Sequence, residues 1–224
     1  MRRPVRSAER RPQPGGSRSR GARLERDSRL RREVCEATLG LVAESPFTEV
    51  TVDRISDAAG LARSTFYLHF RDKFDVLRAM TEEVVQGLYG EAERWWHGDG
   101  SPEKLVRAAL EGVVDLYAAN SALLGAVTEV TTYDRSFREF WRGLVYRFVA
   151  ATADHLRREQ AAGRSRPVDP DRTADVLVWM TERSLLVHLP PRGSWSQSQM
   201  VETLTAVWMA TVYSDRVRAE GEPG

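Results

Sequence analysis

The stretch Thr51-Val52-Asp53-Arg54-Ile55-Ser56-Asp57-Ala58-Ala59-Gly60-Leu61-Ala62-Arg63-Ser64-Thr65-Phe66-Tyr67-Leu68-His69-Phe70-Arg71-Asp72-Lys73 decides how this chain is read. Thr51 offers the side-chain oxygen that opens a helix, and Val52, Ile55, Ala58 and Ala59 follow at inward-facing spacing. Gly60 ends that helix, because glycine enters the left-handed backbone region without a Cβ clash. A second short helix begins near Arg63 and ends near Phe70, with Phe66 and Phe70 turned inward. Ala59 lets the two helices cross closely, and Ile55, Leu61, Phe66 and Phe70 lock them. This is helix-turn-helix spacing. It leaves Arg63, Ser64, Thr65, Tyr67, Leu68 and His69 outward on the second helix, which can then enter a DNA major groove while the first lies over the backbone. An ordinary hairpin in a core would have neither the polar outward face nor a basic segment beside it.

Outward from this stretch the pattern stays helical, and no run of strict alternation predicts a sheet. The spacing predicts a first helix from Arg23 to Glu44, with Leu30, Val34, Ala37, Leu41 and Val42 on one stripe and Ser45-Pro46 as its stop. Asp72 caps a long helix from Lys73 to about Trp96 whose apolar face holds Leu77, Val84, Val85, Leu88 and Trp95. Trp95 and Trp96 are adjacent, so one of them is expected to be partly exposed. Beyond the break at 97–102, helices are expected over Pro102–Ala119, Ser121–Thr132, Arg135–Ala162, Pro170–Leu189 and Ser196–Val217. The expected fold is all-α, about nine helices. Residues 1–21 read as a disordered basic arm, 22–72 as a three-helix DNA-binding domain, 73–217 as a ligand-binding and dimerisation domain, and 218–224 as a flexible tail.

Charge supports a polyanion partner at one end. Residues 1–32 hold twelve arginines and three acidic residues, a net of +9. The rest holds 21 basic and 29 acidic residues, a net of −8, so a basic arm sits on an acidic body. The single cysteine, Cys35, cannot form an internal disulfide and reads as a small buried hydrophobe. His69, His97, His155 and His188 fall on separate elements, and no hydrolase, zinc or phosphate-loop motif occurs, so neither metal nor cofactor nor enzymatic activity is expected. Apolar runs such as Val176 to Met180 are far short of a membrane helix. A cytoplasmic protein without a membrane partner is expected.

The residues Thr51 to Leu61 and Thr65 to Lys73 resemble the DNA-binding signature of the TetR family of bacterial regulators: an Ala-Gly turn, a Tyr-x-x-Phe helix and a lysine opening the next helix, in family order. The resemblance covers about Ala22 to Leu77. It implies DNA contacts by Thr51, Arg63, Ser64, Thr65, Tyr67, His69 and Lys73, with Lys73 on a phosphate. Ala62 departs from the pattern, since the family often has Ser or Thr there to cap the recognition helix.

The C-terminal part resembles one mycobacterial branch of the same family, the ethionamide-linked repressors, through Trp179 to Leu185 and Trp208 to Tyr213. This implies a dimer built by the last two helices and a hydrophobic tunnel lined by Val106, Leu110, Val113, Tyr117, Thr128, Trp141, Val145, Phe148, Thr152, Val178, Thr181 and Trp208. Val178 and Thr181 stand where the relative has amides, so ligand identity does not carry over. Simple core packing is the plain alternative for these aromatics. Glu182-Arg183, odd on an apolar helix, reads as an internal charge pair with satisfied hydrogen bonds, a ligand-facing role being the alternative. Val176, Leu177, Leu185, Val201, Leu204, Val207 and Val212 are expected to be more apolar surface than one chain can bury.

The expected function is a regulator that represses from a palindromic double-stranded operator as a homodimer and is released by a small lipophilic effector. The rivals are a constitutive DNA-binding regulator and a helical enzyme using the tunnel as its active site.

Overall fold

Five of the helices start on a side chain that accepts the first orphan backbone N–H groups. The computed structural model describes residues 16–213, and of residues 16–23 the backbone alone. Its elements are α1 (Gly16–Glu44), a 3-10 turn (Phe47–Glu49), α2 (Val52–Ala58), α3 (Arg63–His69), α4 (Lys73–His97), α5 (Pro102–Ala119), α6 (Ser121–Tyr133), α7 (Arg135–Ala161), α8 (Pro170–His188) and α9 (Gln197–Val212). Thr51 caps α2 by accepting from Arg54 N at 3.2 Å, and Asp72 caps α4 from Asp75 N at 2.8 Å. Asp134 and Asp169 do the same for α7 and α8, and Ser196 with Gln199 forms a full capping box on α9. Ala62, as its chemistry dictates, provides no side-chain cap to α3.

The helices fall where the periodicity puts them, with two differences at the ends. α1 begins at Gly16 and not near Arg23, so residues 16–21 of the expected arm are helical; residues 1–15 lie outside the described residues. Residues 16–22 hold two glycines and two serines, which propensity disfavours, so the extension is a continuation of the helix packed at Val34. α9 ends at Val212, earlier than Val217, because Tyr213 turns extended and pairs with Ser165. Arg166 N donates to Val212 O at 2.8 Å and Arg166 Nε to Tyr213 O at 2.9 Å, which takes up carbonyls at the helix end. The expected tail, 218–224, lies outside the described residues.

Val34, Phe47, Val50, Ile55, Phe66, Phe70, Val76 and Leu77 are all buried and form the core of the N-terminal unit around α1, α2, α3 and the start of α4. Truncating one of its aromatics, Phe66→Ala, would cost about 3–5 kcal/mol. The 3-10 turn was not legible as an element, yet Phe47 and Val50 are fully buried. Ala58 is exposed and Ser56 takes the inward position.

In the C-terminal part α4 packs mainly on α5, α7 on α8 and α5 on α9. Trp95 and Trp96 are both buried, contrary to expectation: α4 has neighbours on two sides at that point. Trp95 meets Trp208 and His155 at ring centroids 5.1 and 4.2 Å apart, while Trp96 meets Tyr89 at 4.9 Å. The Trp96 carbonyl lies 3.2 Å from His155 Nδ1 and accepts from Arg158 at 3.3 Å, so the open C-terminus of α4 is tied to α7.

Of the apolar surface assigned to a dimer, Leu177, Leu185, Val201, Leu204 and Val212 are buried within one chain. α8 packs on α7 and α9 on α5, which covers these residues without a second chain. Val176, Val187 and Val207 remain exposed, the first at 64%. Among the described residues no single helix is long and apolar enough to cross a membrane; α5 and α6 together are apolar but meet at 79°.

Candidate nucleic-acid interface and internal cavity

Gly60 sits at φ 65°, the left-handed conformation that the turn requires, and lets Leu61 N reach Ser56 O at 2.9 Å. The resulting α3 presents Arg63, Ser64, Tyr67 and Leu68 to solvent. Thr65 and His69 are only half-exposed, because they flank Phe66 and Phe70 on the helix and not the opposite face. Arg63 is held within the face: its guanidinium lies 3.0 Å from Asp53 and 3.3 Å from the Tyr67 hydroxyl. Thr51 spends its hydroxyl on the α2 cap. Arg31 stacks over Phe70 at 4.3 Å and donates to the His69 carbonyl at 2.7 Å, pinning the end of α3 to α1.

Lys73, the residue expected on a phosphate, is engaged within the chain. Its ammonium turns inward and donates to Phe47 O at 2.9 Å and Val50 O at 2.7 Å, over the Phe47 ring. The carbonyls that leave the 3-10 turn are the nearest acceptors, and burial lowers the lysine's pKa while Glu129 opposes that shift. Glu129, on α6, takes the other end of the turn: its carboxylate accepts from Phe47 N and Thr48 N at 2.8 and 2.9 Å. No sequence signal marked Glu129, since its partners are some eighty residues away.

The second feature is a cavity of about 110 Å³ bounded by α4, α5, α7, α8 and α9. Val106, Leu110, Val113 and Tyr117 face it from α5. Trp141, Val145, Phe148 and Thr152 do so from α7, Val178 and Thr181 from α8, and Trp208 from α9. Thr128 does not reach it. Its hydroxyl donates to Leu124 O at 2.8 Å, and α6, which packs on α7, α1, α4 and the 3-10 turn, supplies none of the lining. The expected lining named no residue on α4, where Val85, Leu88, Ala92, Trp95 and Trp96 form a wall, nor Ala109, Leu144, Glu182 and Leu185. The α4 residues are periodic and apolar like any core stripe, so periodicity alone does not separate cavity wall from core.

The indole N–H groups are mostly satisfied: Trp208 donates to Thr181 Oγ1 at 3.0 Å, Trp95 to the Tyr213 hydroxyl at 2.8 Å and Trp141 to Glu182 Oε1 at 3.3 Å. Glu182 and Arg183 pair only at long range, and only the glutamate is internal. Successive residues on a helix point about 100° apart, so Glu182 is buried while the Arg183 side chain is 63% exposed, at 3.8 Å. Burial raises the Glu182 pKa, against the opposing pulls of Arg183 and the Trp141 hydrogen bond. Burial and the Glu182 charge together raise that of Tyr117 well above the usual phenol range.

A helix-turn-helix unit with a solvent-facing recognition helix, joined by one long helix to an all-helical body with an internal cavity, defines a class of bacterial transcription regulator. Residues 34–80 match the family model described as bacterial regulatory proteins, tetR family, and residues 106–214 match that of the C-terminal domain of the transcriptional regulator EthR. The chain belongs to the tetR family. Its resemblance to EthR runs nearly end to end: it is 28% identical over 202 residues to the HTH-type transcriptional regulator EthR of Mycolicibacterium smegmatis, covering 87% of this chain and 92% of that one. It is also 30% identical over 153 residues to the HTH-type transcriptional repressor Rv1474c of Mycobacterium tuberculosis, covering 66% and 73%. Among solved structures, a TetR-family regulator from Syntrophomonas wolfei superposes with a TM-score of 0.70 at 14% identity, over 81% of this chain and 93% of that one, a likeness of fold.

Proposed function

We propose that this chain is a dimeric repressor that holds a palindromic operator and releases it when a small lipophilic molecule occupies the cavity. Residues 22–72 serve as the DNA-binding domain and 73–217 as the effector and dimer domain. The observation that carries the reading is the course of α4. Its first residue, Lys73, braces the 3-10 turn beside α2 and α3, and its last turns supply Ala92, Trp95 and Trp96 to the cavity wall. One rigid helix thus touches both sites.

Size gives the direction of the effect. Ligand sites commonly enclose about 300–1,000 Å³, whereas this cavity encloses about 110 Å³, less than the roughly 150 Å³ that holds a benzene. A larger lipophilic molecule enters only by moving the walls, α4 among them, and that movement shifts the recognition helix. A tenfold release needs about 1.4 kcal/mol of differential affinity between the two arrangements. Arg63 and Tyr67 approach the groove, and Arg63 leaves Asp53 to do so, at little cost for an exposed ion pair. The exposed stripe of Val176, Val187 and Val207 on α8 and α9 meets its symmetry mate. The relatives named as transcriptional regulators and as a repressor favour this reading over an enzyme.

Selection of DNA duplexes from a random pool by the full chain tests it. The recovered sequences should share an inverted repeat with half-sites about one helical turn apart, bound by a species of twice the chain mass, and 1-octanol should loosen binding without unfolding the protein. Recovery of no common inverted repeat, or a single-chain mass in the complex, overturns the proposal.

A further inference from the structure

The cavity wall is apolar except at a few places, and at one of these a buried carboxylate is only weakly compensated by the protein. Glu182 is 5% exposed and lines the cavity. Oε1 accepts one long bond, 3.3 Å from Trp141 Nε1. Oε2 is buried and has no hydrogen bond. The nearest cation, Arg183, lies 3.8 Å away with its side chain turned to solvent, too far to hydrogen-bond. From α5 the facing group is Tyr117, whose own ionisation the Glu182 charge opposes. A buried carboxylate costs several kcal/mol unless it is paired and hydrogen-bonded, and α8 could hold any apolar residue here at no such cost.

We infer that the molecule recognised by this cavity is a lipophilic amine, whose ammonium group pairs with Glu182 while its apolar body lies among the tryptophans. The inference rests on the reading of the cavity as an effector site. An ammonium supplies what Oε2 lacks, a hydrogen-bond donor, and brings a positive charge closer than Arg183 at 3.8 Å, and charge-assisted bonds of this kind are the strong ones. Oε2 is covered by its neighbours, but the terminal torsion of glutamate is broad, so a small turn of the carboxylate offers it to a ligand. The aromatic faces of Trp141 and Trp208 suit the same cation.

The test uses three probes of one shape, 3-phenylpropylamine, 3-phenylpropan-1-ol and 3-phenylpropanoate, added to the full chain. Binding is read from tryptophan fluorescence, since Trp95, Trp96, Trp141 and Trp208 all line the cavity, and in parallel from release of the selected DNA duplex. The amine should bind about tenfold or more tighter than the alcohol, with the propanoate weakest. In Glu182→Gln that preference should vanish, the amine falling to the affinity of the alcohol measured on the same variant. The variant keeps shape and removes a buried charge, and its melting temperature, measured alongside, reports folding. If the alcohol binds and releases DNA but the amine binds no tighter in the wild-type chain, or keeps its preference in Glu182→Gln, the amine inference falls and the effector-site reading stands. If none of the three binds, both fall.

Discussion

The Glu129 carboxylate caps the 3-10 turn by accepting the Phe47 N–H at 2.8 Å across 82 residues of sequence, with Thr48 N–H beside it at 2.9 Å. Lys73 closes the other end of the same turn on the Phe47 and Val50 carbonyls. The turn is thus gripped by α6 from one side and α4 from the other. A glutamine amide has one acceptor oxygen where the carboxylate has two. Glu129→Gln should therefore cost about 1–3 kcal/mol and speed amide hydrogen exchange at Phe47 and Thr48 selectively. Unchanged exchange at both amides would remove the clamp from the coupling.

Lys73→Met keeps the aliphatic stem over Phe47 and deletes the donor. With the Phe47 and Val50 carbonyls left short of a partner, the melting temperature should fall by the equivalent of about 1–3 kcal/mol. Thermal unfolding of the DNA-free chain is the measurement, and a loss below about 0.5 kcal/mol would mean that the inward position contributes nothing to stability.

On the recognition helix, Arg63→Ala should lose about 1–3 kcal/mol of discrimination at one base pair, whereas Asp53→Asn, which frees Arg63 and removes a negative charge, should tighten every sequence. Titration against a panel of single-base operator variants separates the two. Equal losses across the panel from Arg63→Ala would assign that arginine to the backbone.

Val113→Trp places an indole in a cavity of about 110 Å³ and should imitate an effector. Operator affinity should drop while the melting temperature stays within the shift expected for overpacking, about 1–3 kcal/mol. A folded variant that binds operator like the wild type would uncouple the cavity from DNA.

Burial raises the Glu182 pKa above its unfolded value. The folded chain then holds that proton longer, so the destabilisation is absent below the ordinary glutamate pKa of about 4.3 and grows as pH rises through the raised folded value. Glu182→Gln should accordingly raise the melting temperature at pH 7 and lose that advantage as pH falls toward 4. A gain that is constant across this window would trace to packing and not to charge.

Much of the recognition unit was legible because its signals are local. Thr51, Gly60, Ala62 and Asp72 act within four residues of themselves, and Phe66 and Phe70 point inward by spacing alone. The cavity was legible in part: Tyr117, Trp141, Phe148 and Trp208 line it as expected from resemblance, while Thr128, on a helix that supplies none of the lining, does not.

What the sequence by itself determined about this protein is the set of helices, their caps, the left-handed turn at Gly60 and the polar face of α3, since each depends on backbone geometry and neighbours a turn or two away. Tertiary structure alone decided which buried faces meet. It turned Lys73 onto the 3-10 turn, brought Glu129 to its other end, buried Leu204 and both Trp95 and Trp96 within one chain, and set Glu182 inside while Arg183 stayed in solvent. Helical periodicity states that a side chain is inward, but a helix with neighbours on two sides has more than one inward direction, and only the packing of the others selects between them.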